Sequence, residues 1–214
     1  MTQISLFDLY NSLSNYGDVY QTKHRMRDYN DFINWTEENF DYVRYNPRKK
    51  ITRYDLSITS LDGGLSGIPD LDSLLEYNRE NNTEYSERDF SVKTPIYEYP
   101  SLKNMIKPIS DYIFRSHILK LEPGGFFPPH RDFAGPIFDS FRALVPLSNM
   151  NPPSFNFMVD NRLHHWENGH LYFVDTAKMH YLFNCSFETT YMIVFNIQLN
   201  QKTVEYITRN LKQC

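Results

Sequence analysis

From Ile113 to about Leu199 the chain is a succession of short β-branched and aromatic segments: "IFRSHILKL", "FRALVPL", "SFNFMV", "LHHW", "HLYFVD" and "TYMIVFNIQL". Turn-forming residues bound each one. No other feature restricts the fold as strongly, because several short strands at close spacing indicate a β-sandwich or barrel. Within this region "VDNRL" places Asp160 and Asn161 between two strand-like runs, the composition of a two-residue hairpin turn.

The residues before Ile113 read differently. Leu6, Leu9, Tyr10 and Leu13 recur at helical spacing, and "DYNDFINWTEENFDYV" spaces its apolar and aromatic residues in a similar way. "ITRYDLSIT" alternates as a strand does, and "LDGGLSGIP" is a glycine-punctuated loop. A proline before "DLDSLLEYNRE" suits the start of another helix, and the tail "TVEYITRNLK" is helix-like again. The expected organisation is mainly β with α in a single domain, 1–214. A mixed, mostly helical cover spans 1–112, a β core spans 113–200, and a C-terminal helix spans 201–214.

A chain that is 41% apolar, with 16 Tyr and 16 Phe, has ample material for such a core. The net charge is −4, and the basic run "PRKK" is too short and isolated for a nucleic-acid footprint, so a nucleic-acid partner is not expected. Two cysteines, Cys185 and Cys214, cannot build a disulfide framework and favour a reducing compartment. No stretch of about 18 apolar residues appears, and "MTQISLFDLYNSL" lacks a signal-peptide pattern. The expectation is a soluble, cytoplasmic protein with no membrane partner.

The chemistry concentrates in "FFPPHRDFAG". His-Arg-Asp occurs in protein kinase catalytic loops, but those need a following Asn for a second magnesium, a later Asp-Phe-Gly and a glycine-rich phosphate loop. The chain has none of these, and it is short for a kinase. The other use of such a triplet is a facial triad of His-x-Asp and one distant His around a ferrous ion. On an extended segment residues i and i+2 point to the same side, so His130 and Asp132 can reach one metal. The third ligand must come from a strand folding back beside them, and His180 in "FVDTAKMHYLFN" is the candidate. Imidazole and carboxylate suit Fe(II), and the three remaining positions would receive a chelating cosubstrate and dioxygen.

The setting of the triplet resembles the aspartyl/asparaginyl β-hydroxylase family of 2-oxoglutarate oxygenases, which includes proline cis-4-hydroxylase-like enzymes. The matching stretches run in order: "RSHILKLEPGGFFPPHRDF", then "FRALVPLSN", then "FNFMVDNRLHHWENGHLYFVDTAKMH", and last "HYLFNCS", where Asn184 and Ser186 follow His180. The resemblance covers roughly Ile113 to Leu199. It implies a double-stranded β-helix (jelly roll), Fe(II) held by His130, Asp132 and His180, and 2-oxoglutarate as cosubstrate. The implied activity is hydroxylation of an unactivated C–H bond in an amino acid, a peptide residue or another small metabolite. It also implies that Arg142 points into the cosubstrate pocket. Independently, a buried dicarboxylate needs a cationic partner, and guanidinium grips a carboxylate with two parallel hydrogen bonds.

Two positions depart from the family pattern. Where the family has an arginine for the far carboxylate of 2-oxoglutarate, this chain has Thr190, and where it has a histidine near Arg142, this chain has Leu144. Arg142 alone, Lys178, Arg115 or Lys120 are candidates to replace the missing cation, with Thr190 left to donate a hydroxyl hydrogen bond. The departures keep two other readings open: a jelly-roll metalloenzyme using the same three ligands without 2-oxoglutarate, and a non-catalytic binding module on that scaffold. Elsewhere, Asp175 is expected to orient its loop rather than bind metal, and Arg131 to point away from the ion. His164, His165 and His170 are expected on a hairpin rather than in a second metal site, since neighbours on a strand face opposite sides. Trp166 is expected in the core, and Cys185 as a small buried hydrophobe.

Overall fold

The alternation of buried side chains decides how the short segments assemble. In the computed structural model, which describes residues 4–132 and 139–212, helix α1 (Leu6–Ser14) opens the chain, its first turn capped by the Ser5 hydroxyl accepting the Asp8 amide at 3.1 Å. Strand β1 (Val19–Arg25), helix α2 (Tyr29–Asn39) and strands β2 (Val43–Arg44), β3 (Arg53–Ser57) and β4 (Thr59–Ser60) follow. Helix α3 (Leu74–Asn81), a 3-10 turn at Glu87–Asp89, strand β5 (Val92–Lys93) and helix α4 (Pro100–Ile106) complete the first half. The second half holds β6 (Ile113–Leu121), β7 (Phe126–His130), β8 (Ser140–Pro146), β9 (Phe155–Val159), β10 (Arg162–Leu163) and β11 (His170–Val174). Strands β12 (His180–Asn184) and β13 (Thr190–Gln198) and helix α5 (Gln201–Thr208) end the chain.

Two antiparallel sheets carry the fold. The larger runs β1-β11-β8-β13-β6-β3-β2 and the smaller β10-β9-β12-β7. Because successive residues of a strand face opposite ways, each strand of the larger sheet feeds two cores. Phe141, Ala143, Val145, Ile193, Phe195 and Ile197 pack outward under Leu13 of α1, Phe32 of α2, Ile106 of α4 and Ile207 of α5. Leu119, Leu144 and Met192 point the other way, toward Phe155, Phe157 and Leu182 of the smaller sheet. This is a mainly β jelly roll with helices stacked on one face. Phe173 of β11 sits in the outer core with its ring stacked on Tyr20 at 4.9 Å and beside Phe141 at 6.0 Å. Phe173→Ala is expected to cost about 3–5 kcal/mol of stability, read from the chemical denaturation midpoint.

The first 112 residues are more than a cover. Strands β1, β2 and β3 join the larger sheet, β1 pairing with β11 and β3 with β6. In β1, "VYQTKHR" is mostly polar because one long side of this strand lies at the sheet edge, so it lacks the apolar alternation that marks a strand in sequence. "LHHW" errs the other way and forms no strand of its own: β10 stops at Leu163. The Asp160–Asn161 hairpin turn is present, with φ of 49° and 61° at the two residues, the left-handed pair a type I′ turn requires. Trp166 is buried, but Cys185 is exposed, since β12 ends at Asn184 and the next side chain turns outward. Cys214 lies outside the described residues.

Two local features aim β7 at the centre. At Gly125, between β6 and β7, an added Cβ would meet the Thr52 carbonyl at 2.6 Å, so only glycine lets the backbones approach there. Strand β7 then carries Pro128 and Pro129, which lack the ladder N–H and are tolerated because β7 is the edge of the smaller sheet.

Candidate metal centre and adjoining cavity

His130 and His180, distant in sequence, are direct cross-strand partners in the β7–β12 ladder, with ring centroids 4.2 Å apart. Asp132 lies just beyond the end of β7, placed by its backbone N–H donating to the Thr176 carbonyl at 3.1 Å. Asp132 Oδ1 is 3.5 Å from His130 Nε2 and 3.7 Å from His180 Nε2, and one ligand atom from each residue falls within 4.8 Å of the others. Both imidazoles are oriented from behind. His130 Nδ1 contacts the Pro128 carbonyl at 2.7 Å and His180 Nδ1 the Lys178 carbonyl at 3.0 Å. A carbonyl only accepts, so each Nδ1 carries the proton and each Nε2 presents a lone pair to the space in front of Asp132. Two neutral imidazoles and one carboxylate on one side of an ion are the donor set of a ferrous facial triad. The residues fit the metal.

Arg142 of β8 fixes the third ligand. Its Nε is 3.1 Å from Asp132 Oδ2, which leaves Oδ1 turned toward the two histidines. Burial pushes the Asp132 carboxyl up, but the Arg142 guanidinium beside it is the largest opposing influence, and the group is held well below the usual carboxylate range. Arg142 was expected in the cosubstrate pocket. It does line the cavity in front of the ligands, and it is already engaged there: Nη2 is 3.4 Å from Glu87 Oε2.

That cavity has a volume of about 110 Å³. One side is apolar, with Leu119, Leu144, Phe157, Leu182 and Met192; the other carries Tyr45, Glu87, Arg115, His117 and Arg142. The remaining candidates for cosubstrate binding lie elsewhere. Lys178 Nζ is held by Asp18 at 2.8 Å and Asp160 at 3.2 Å, and its contribution to the metal centre is its backbone carbonyl. Thr190 opens β13 with its hydroxyl 3.5 Å from the Leu121 carbonyl, beside a separate depression near Ser148 and Phe187. Lys120 pairs with Glu37 at 2.8 Å. Of the candidate replacements for the missing cation, Arg115 and Arg142 line the cavity.

Asp175 accepts the Tyr10 hydroxyl at 2.7 Å and caps its loop by accepting the Lys178 amide, so it orients the chain leading to His180. Arg131 is exposed. His170 sits 3.5 Å from Glu167, and among the described residues the groups able to hold a metal comprise only His130, Asp132 and His180. Sequence reasoning missed Glu87, His117 and Asn196. Glu87 lies in "SERDF", an ordinary surface-like loop sequence, and nothing local marks it as reaching the barrel interior.

Comparison with known proteins agrees with the geometry. Among solved structures, HygX from Streptomyces hygroscopicus, determined with nickel, 2-oxoglutarate and hygromycin B bound, superposes with a TM-score of 0.53 at 10% identity over 94% of this chain and 88% of its own. A 2OG-Fe(II) oxygenase family oxidoreductase from Burkholderia pseudomallei gives 0.51 at 11% identity over 93% and 92%. The epimerase SnoN from nogalamycin biosynthesis gives 0.52 at 10% identity over 90% and 82%. At these identities the likeness is one of fold. No curated protein sequence matches this chain. The family model for aspartyl/asparaginyl β-hydroxylases matches residues 74–199, more than half of the chain, and takes in β6 to β13 with His130, Asp132 and His180, so the chain belongs to the aspartyl/asparaginyl β-hydroxylase family.

Proposed function

We propose that the protein is an Fe(II)- and 2-oxoglutarate-dependent oxygenase that uses dioxygen to hydroxylate a C–H bond of an amino acid, a peptide residue or another small molecule. The observation that carries this reading is the convergence of His130, Asp132 and His180 within 4.8 Å, with both Nε2 lone pairs facing a cavity that also holds guanidinium groups. When bound, the ferrous ion and 2-oxoglutarate supply the oxidising chemistry, and the chain supplies position and shelter. Pro128 and Lys178 carbonyls hold the imidazoles in one tautomer. Arg142 keeps Asp132 ionised and presents a single oxygen to the ion. Phe127, Phe157, Leu182 and Met192 keep water from the apolar side of the cavity. Within the described residues no helix is long and apolar enough to cross a membrane.

One observation favours a second reading: Thr190 is off the cavity, and Glu87 already sits on Arg115 and Arg142. That arrangement suits an enzyme that uses the same ligands without 2-oxoglutarate. Anaerobic addition of Fe(II) and then 2-oxoglutarate separates the two. The expected result is a visible charge-transfer band that appears only with both present. Metal uptake with no such band favours the second reading, and absence of metal uptake rejects both.

A further inference from the structure

A five-carbon diacid that chelates the metal through one end must extend its second carboxylate into the cavity, and there the walls differ sharply. Leu119, Leu144 and Met192 offer it nothing. His117 lines the wall, but burial and the nearby Arg115 and Arg142 guanidiniums bring its pKa down to about 3, so it is not a cation. Arg115 is the group built to receive an anion. Its Nε donates to the Asp70 carbonyl at 3.0 Å and its Nη2 to the Asp72 carbonyl at 2.6 Å, while Nη1 meets Glu87 Oε1 at 2.9 Å. The backbone of Arg115 is left-handed, φ 42°, and is held so by its N–H donating to the Phe90 carbonyl at 2.7 Å. A non-glycine residue in that region of a strand is strained, and such strain persists where the surroundings fix a side chain in a particular place. Glu87 Oε2 completes the cluster, accepting from Asn196 Nδ2 at 2.6 Å and lying 3.4 Å from Arg142 Nη2. The donors are the buried members of the group: the Arg115 and Arg142 side chains are 15% and 14% exposed, against 36% for Glu87.

We propose that Arg115, Asn196 and Arg142 form the subsite for the distal carboxylate of 2-oxoglutarate, and that Glu87 is its resident occupant, displaced when the cosubstrate binds. The proposal rests on the function proposed above. It accounts for Thr190 at the position where the resemblance marks an arginine, since the cations are supplied by β6 and β8. The exchange is one carboxylate for another, so no unpaired charge is left buried at the cluster. The distance also suits: Arg142 touches Asp132 with Nε and Glu87 with Nη2, so the Glu87 carboxylate lies one guanidinium away from the metal-binding acid.

Calorimetric titration of Mn(II)-loaded protein with 2-oxoglutarate, and with 2-oxopentanoate as a keto acid that lacks the distal carboxylate, tests this. Glu87→Gln removes the competing charge and is expected to tighten 2-oxoglutarate binding about tenfold while leaving 2-oxopentanoate within about twofold. Glu87→Asp keeps the charge but withdraws it by one methylene, and is expected to tighten 2-oxoglutarate about threefold, which provides the test should the Gln variant fold poorly. Unchanged or weaker 2-oxoglutarate binding in these variants overturns the inference. So does an equal change for both keto acids, because Glu87 would then be acting on the metal end through Arg142 and Asp132. If Mn(II) binds but neither keto acid binds to any of the proteins, the proposed use of 2-oxoglutarate fails, and this inference with it.

Discussion

Replacement of His180 by Ala is expected to lower Fe(II) affinity by more than about 100-fold and to abolish succinate formation from 2-oxoglutarate. The magnitude follows from the donor set. Loss of even an outer partner of a metal ligand typically costs about 10- to 100-fold, and His180 is one of the three residues able to hold the ion directly. Its ring is buried between two strands and fixed behind by the Lys178 carbonyl, and among the described residues the group able to hold a metal comprises only His130, Asp132 and His180. Folding should survive, with a cost in the ordinary range of about 0.5–3 kcal/mol for one buried side chain. Metal uptake measured by calorimetry and succinate measured after aerobic incubation check the two parts. His164→Ala, outside the cluster, should leave both unchanged. Retained uptake in His180→Ala would remove this residue from the centre.

Arg142→Met is expected to show the largest stability loss of the cavity substitutions, about 3–5 kcal/mol, because it takes the guanidinium from the buried Asp132 carboxylate, while Glu87 keeps Arg115 and Asn196. The Asp132 side chain is 17% exposed and that of Arg142 14%, so this pair is little screened; Glu87 is more open and contributes less. The loss should depend on pH in a defined sense. Burial raises the carboxyls of Asp132 and Glu87, but the guanidiniums dominate and depress both below their ordinary values. Depressed acids contribute stability that is fully present above about pH 4, the unfolded carboxylate range, and is lost as pH falls through their folded values. The gap between wild type and Arg142→Met should therefore be widest near neutrality and narrow below about pH 4. Urea midpoints at the two pH values test this, and a gap that widens in acid would show that Arg142 acts mainly by packing. Arg142→Lys should recover only part of the loss, since an ammonium cannot span Asp132 and Glu87 as the planar fork does.

The β half of the fold was legible because its strands alternate and its turns carry their own chemistry. Asp160–Asn161 names a hairpin, and "IFRSHILKL" and "TYMIVFNIQL" are central strands whose two faces feed two apolar cores. Strand β1 was not legible, since Thr22 is its one buried residue and "VYQTKHR" carries no apolar alternation to mark a strand. The convergence of His130 and Asp132 could be read because spacing on an extended strand is a local geometric rule. The second half of the site could not. Arg115 stood among the candidate cations, but Glu87 and Asn196 reach it through contacts that span much of the chain, and each stands in a sequence with a plain structural explanation. Lys178 shows the reverse error: proximity to His180 in sequence suggested an anchor, but Asp18 lies within reach of its ammonium and turns it aside.

The direct pairing of His130 with His180 has a consequence for how such an enzyme could fail. Side chains on a strand alternate with a period of two, so a one-residue slip of β7 along β12 would throw the His130 imidazole to the outer face. Strand β7 is an edge strand of its sheet and its prolines withhold ladder bonds, so its register rests on β12 alone within that sheet. A bound cation would bolt these two ribbons in alignment, so loading the enzyme also locks this seam.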